Sequence, residues 1–177
     1  MNESVTSGVL GKLTRKSQFD YWSSLPIPIP IYENRTLRVE YDFDPKTDAT
    51  FLLDADSALT NFLKKRDSDR EELSEPLFRE CQSFMELIGL KETLETFKEV
   101  KSPEPWIIKD IERIEPLVKM SAPHEVWRFI HPQCIHLART KKNENEITLK
   151  LVCKCDWDDE HGFDILYKNG SGLGLIG

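Results

Sequence analysis

Apolar and polar residues alternate near both ends of this chain and follow helical spacing between them. Leu37, Val39 and Tyr41 alternate with Arg38, Glu40 and Asp42, the two-residue period of a half-buried strand. Upstream, Phe19, Tyr21 and Trp22 open an extended region that leads into Leu25-Pro26-Ile27-Pro28-Ile29-Pro30-Ile31. Prolines at alternate positions strip the N–H donors from one side, which predicts an edge strand that pairs on the other side only. A polyproline-like segment docked on a partner is the alternative. Asp44-Pro45-Lys46-Thr47-Asp48 reads as a turn.

The period then changes. Asp54 or Asp56 can cap a helix that carries Leu59, Phe62 and Leu63. A second helix is predicted over 69–88, with Leu73, Leu77, Cys81, Phe84, Met85 and Ile88 as its buried stripe and Gly89 as its stop. Residues 91–100 suit a third helix, broken by Ser102-Pro103-Glu104-Pro105. Residues 106–120 keep helical spacing although Pro116 opposes the last turn, and 123–130 suggest a short helix ended by Pro132.

Strands return at 134–138, at 146–155 and at 162–167. Lys168-Asn169-Gly170 is an Asn-Gly hairpin turn, and 173–176 form the closing strand. Strands, then helices, then strands predict an α+β fold: an antiparallel sheet built from the two ends, with the helical segment packed on one face. A chain of 177 residues fits one domain, expected over 18–177, after a polar, slightly basic and loosely ordered segment at 1–17.

Composition narrows the function classes. With 31 acidic and 24 basic residues the net charge is −7, unsuited to phosphate backbones and favourable to basic protein partners. A mean hydropathy of −0.47 and the lack of a ~20-residue apolar run predict no membrane association. Without a signal-peptide core the four cysteines read as reduced thiols, so a cytoplasmic location is expected.

Potential chemistry concentrates at 124–161, which holds His124, His131, His136, His161, Cys134, Cys153 and Cys155. A zinc site needs four such ligands converging, and Cys153 with Cys155 on one strand face is unlike a Cys-x-x-Cys turn. Two core thiols are the simpler reading, so no cofactor is expected; Cys153, Cys155 and His161 remain the alternative metal set. Asp156-Trp157-Asp158-Asp159-Glu160-His161-Gly162 lacks the spacing of a calcium loop and reads as an acidic turn or partner-binding loop.

The segment from Cys153 to Gly162, with Asn169-Gly170 and the closing Leu175-Ile176-Gly177, resembles a bacterial domain family of unknown function with a Trp-Asp-x-Glu-His-Gly signature. Similar domains occur among toxin-neutralising immunity proteins. The resemblance implies a non-catalytic protein that covers a basic toxin domain, with no catalytic residues to carry over. Its contacts are expected at Asp156, Trp157, Asp158 and Asp159, and on a second acidic face of Glu71, Glu72, Glu75 and Glu80. The competing class is a metal-dependent or thiol enzyme that uses His161 with Cys153, Cys155 or Cys134.

Overall fold

The structure, a computed structural model, describes residues 3–15, 21–140 and 143–176, with the backbone alone at 143–145, 159 and 173–176. Residues 1, 2, 16 and 17 of the expected loose segment, Phe19 of the first strand region and the closing Gly177 lie outside the described residues.

The elements run β1 (Glu3–Ser7), β2 (Gly11–Arg15), β3 (Trp22–Ser23), β4 (Ile27–Ile29) and β5 (Arg35–Asp42). Then come α1 (Phe51–Leu63), α2 (Glu71–Leu87), α3 (Leu90–Lys98) and α4 (Pro105–Val118). The chain closes with β6 (Ile130–Thr140), β7 (Asn143–Cys155), β8 (Asp158–Lys168) and β9 (Gly172–Ile176). The fold is α+β, on a mostly antiparallel sheet ordered β1-β2-β3-β5-β6-β7-β8-β9 with β4 paired to β5 off this path. β5 and β6 depart from the antiparallel expectation: they are parallel, Arg38 opposite Cys134 and Tyr41 opposite Leu137. All four helices lie between them in sequence, and a parallel pair requires such a long crossover.

Contacts group the residues into two compact units interleaved in sequence. The first holds Met1–Asp69, Pro132–Cys153 and Phe163–Gly177; the second holds Arg70–His131 and Lys154–Gly162.

In the first unit, residues 3–15 form a hairpin where the sequence suggested loose order, with Val5 opposite Leu13 and Gly11 in the left-handed region. Leu13 is fully buried, which ties the hairpin down. β4 pairs with β5 through Ile27 opposite Leu37, while Pro28 faces solvent and Ile29 is buried. It is shorter than the predicted edge strand, because a 3₁₀ turn begins at Pro30. α1 starts at Phe51 without a side-chain cap, so neither Asp54 nor Asp56 caps it. Asp56 instead accepts from Ser7 Oγ and the Gly8 N–H, both at 2.6 Å, and from the Tyr41 hydroxyl at 3.0 Å. Arg139 of β6 clamps the start of the same helix, donating to Asp48 at 2.8 and 3.1 Å and to Asp54 at 2.7 Å. Phe43 stacks on Phe51 at 4.7 Å beneath this clamp, and Phe62 meets Tyr167 edge-on at 5.0 Å. Burying each of the Phe51, Phe62 and Tyr167 rings stabilises by roughly 1.5–3 kcal/mol.

In the second unit, α2 buries Leu73, Leu77, Cys81 and Met85 at helical spacing. It packs on the 3₁₀ segment Pro123–Phe129, where the Trp127 indole N–H donates to Ser74 Oγ at 2.9 Å. Pro76 and Pro116 lie inside α2 and α4, and each is followed by a fully buried leucine, Leu77 and Leu117. Packing of that face outweighs the lost backbone hydrogen bond. Gly89, at φ +62°, ends α2 and caps α3, and Pro105 occupies the first turn of α4 where its missing N–H costs nothing.

Candidate interaction surface

The two units differ in charge. The first carries 14 basic and 14 acidic residues; the second carries 10 basic against 17 acidic, so the whole net charge of −7 falls in the second. Both predicted acidic faces lie within it.

The α2 face follows from helical geometry. With Leu73, Leu77 and Cys81 turned inward, Glu71, Glu72, Glu75 and Glu80 turn outward, and all four are exposed. Glu71 and Glu72 occupy the first turn, where the helix dipole favours negative charge. Glu75 pairs with Arg79 at 2.7 Å, an exposed i,i+4 contact, and among the described residues Glu71, Glu72 and Glu80 meet no cation within ion-pair distance.

The second face is built differently from the expected open acidic loop. β7 ends at Cys155, Asp156-Trp157 form a tight turn, and β8 begins at Asp158, four residues before the strand predicted from Gly162. Asp156 is engaged on three sides. Its carboxylate lies 2.6 Å from His131 Nε2, its carbonyl accepts from Arg113 at 3.1 Å, and its N–H donates to the Phe129 carbonyl at 3.0 Å. Trp157 is only 6% exposed and so is a core residue of the turn. Asp158 accepts the N–H groups of Glu160 and His161, each at 3.0 Å. Burial acts to raise the Asp158 carboxyl, but these hydrogen bonds and the neighbouring His161 outweigh it and hold the carboxyl below the usual range. The side chain of Asp159 lies outside the described residues. Gly162, at φ +68°, takes a left-handed conformation inside β8 that glycine adopts at no steric cost.

The alternative metal set is not brought together. Among the described residues no group of three or more His, Cys, Asp and Glu is placed to hold a metal ion. Cys153 and Cys155 are buried, their thiols pointing to the Leu151 and Asp158 carbonyls, whereas His161 is exposed beside Asp158. Burial pushes the Cys155 thiol up to about 11 and the Cys81 thiol to about 12. Burial, reinforced by the Glu40 carboxylate, lifts Cys134 to about 11. Thiols held neutral in this way are poor nucleophiles at neutral pH.

Sequence patterns missed two sets of residues in this unit. His131 and Arg113 secure the acidic turn from 25 and 43 residues away, a pairing that no local pattern announces. Leu87, Ile88, Val100, Trp106 and Ile108 are large apolar residues left exposed, and Ile88 thereby departs from the buried stripe expected of the 69–88 helix.

These features define an α+β protein with one acidic unit, in which the α2 glutamates face solvent and Asp156 and Asp158 of the turn are bonded within the fold. The chain belongs to the family described as Domain of unknown function (DUF6985), whose model matches residues 9–177. Comparison with the curated proteins and with the solved structures finds no match. Among the described residues no helix is long and apolar enough to cross a membrane.

Proposed function

We propose that this chain is a non-catalytic binding protein of the immunity type, which neutralises a toxin by covering a basic surface of it. The observation that carries the reading is the segregation of charge, with the full net −7 in the unit that also exposes the α2 glutamates and several large apolar side chains. A concentrated negative field speeds encounter with a basic protein, and exposed apolar side chains supply the contact area that holds it. The neutral, buried thiols favour this reading over a thiol enzyme. Cytoplasmic residence, where such a protein would meet an incoming toxin, belongs to the same proposal.

The test is co-expression with the product of the adjacent gene. Growth arrest by that product, rescue by this chain and a complex weakened by salt are the expected results. Arrest that this chain leaves unrelieved overturns the immunity reading, and the lack of a salt-sensitive complex overturns the binding reading.

A further inference from the structure

Among the described residues, β2 joins the rest of the sheet through one registered pair, Thr14 opposite Ser23. β5, by contrast, pairs with β3, β4 and β6. β1 and β2 have five residues each, of which one is buried, Ser7 in the first and Leu13 in the second. Short ladders and few buried apolar side chains mark the part of a fold that opens most readily. The rest of the first unit has its own fastenings. Arg139 of β6 holds Asp48 and Asp54, and the Phe51 ring meets Phe43 at 4.7 Å and Tyr41 at 6.3 Å. Opening of the hairpin withdraws one fully buried apolar side chain, Leu13, from this unit.

The turn of the hairpin closes on one side chain of α1. Ser7 Oγ accepts the N–H groups of Val9 and Leu10 at 3.1 and 2.9 Å and itself donates to Asp56 Oδ1 at 2.6 Å. The Gly8 N–H donates to Asp56 Oδ2, also at 2.6 Å. The turn therefore engages both oxygens of the carboxylate, and hydrogen bonds to an ionised acceptor are roughly twice as strong as neutral ones. At the open end of the hairpin Arg15 lies over the Trp22 ring, 5.9 Å from its centroid, a contact of modest strength.

We propose that the β1–β2 hairpin is a strap that opens and closes as a unit on a sheet that stays folded, with Asp56 as its latch. In the closed state Ser7 Oγ and the Tyr41 hydroxyl share Asp56 Oδ1. In the open state the carboxylate keeps Tyr41 and turns its freed positions to water, and the edge of the sheet passes from β1 to β3. The strap is independent of the binding reading, since it lies wholly in the first unit whereas the acidic α2 belongs to the second.

Amide hydrogen exchange of the ¹⁵N-labelled full chain, followed by NMR at several urea concentrations below the unfolding transition, tests this. In the wild type the protected amides of β1 and β2 are expected to exchange at least tenfold faster than those of β5 and β6. Their urea dependence should be weaker, because a local opening exposes less surface. Ser7→Ala removes one latch bond and the acceptor of two turn N–H groups. It should speed the hairpin amides at least a further tenfold and those of β5 and β6 less than twofold. Tyr41→Phe, which leaves the bonds of the turn to Asp56 in place, should change the hairpin amides less than threefold. One shared rate and urea dependence for all four strands overturns the strap, since the hairpin would then open only with the whole unit. Hairpin amides that exchange in the wild type as fast as an unfolded peptide overturn the closed state. Hairpin rates that stay within threefold in Ser7→Ala remove Asp56 as the latch.

Discussion

Gly170 sets its backbone directly on Ala58 of α1: a Cβ built there would stand 1.8 Å from the Ala58 carbonyl oxygen and 3.0 Å from the Phe62 nitrogen. The same residue sits at φ +74°, after Asn169 at φ +48°, in the turn between β8 and β9. Asn169 fixes that turn by exchanging hydrogen bonds with Ile147, N–H to carbonyl and backbone N–H to Oδ1, both at 2.8 Å. Gly170→Ala therefore meets backbone overlap and left-handed strain together. The expected loss is at least ~3 kcal/mol. For a chain of this size that lowers the thermal midpoint by about 6–12 °C. A scanning-calorimetry shift under ~2 °C would show that the turn can move off α1.

The Arg139 clamp should reveal itself through pH. The guanidinium hydrogen bond holds the Asp48 carboxyl below its usual range, against an opposing push from burial. A carboxyl depressed in the folded state contributes stability above its unfolded pKa of about 3.9, and that contribution fades as pH falls through the lower folded value. Arg139→Ala should cost roughly 1.5–3 kcal/mol at pH 7, in the range of hydrogen bonds between charged groups. The gap from wild type should narrow below about pH 4. Urea titrations at pH 7 and pH 3 measure it, and a gap that widens in acid would contradict the assignment.

Trp157 tests whether the acidic turn is core or contact. At 6% exposure it should behave as a core aromatic, and Trp157→Ala should destabilise by about 3–5 kcal/mol. A loss below ~1 kcal/mol in a denaturant titration would make it a surface residue and restore it as a contact candidate.

The residues that read correctly from sequence are those whose period was decided locally. β5 alternates because its apolar set faces one side, and α2 was legible because Leu73, Leu77 and Cys81 repeat at helical spacing. The β1–β2 hairpin escaped because half of its strand residues are Ser, Thr or Gly, and one buried leucine, Leu13, gives no period. Pro116 suggested a break that buried Leu117 overrides. In the acidic turn, sequence supplied the charges but not their partners. Asp156 reads as free until His131 and Arg113 arrive from distant elements, and Asp158 reads as free until its bonds to the N–H groups of Glu160 and His161 are seen.

That distinction separates the roles of the two acidic faces in a measurable way. Glu71, Glu72, Glu75 and Glu80 are exposed, so they act on a partner at a distance, whereas Asp158 acts on its own turn. Exposed charges change mainly association rates and their salt dependence. Replacing the four glutamates with glutamine should slow association with a basic cognate partner at low salt by about tenfold. The salt dependence should flatten, and stability should change by no more than ~0.5 kcal/mol per site. Asp158→Ala should do the reverse, lowering stability by about 1 kcal/mol through its lost hydrogen bonds while leaving the on-rate within twofold. Stopped-flow association at two salt concentrations, beside urea titrations of the same variants, reads both effects. An on-rate that follows Asp158 and ignores the four glutamates would move the encounter surface from α2 to the turn.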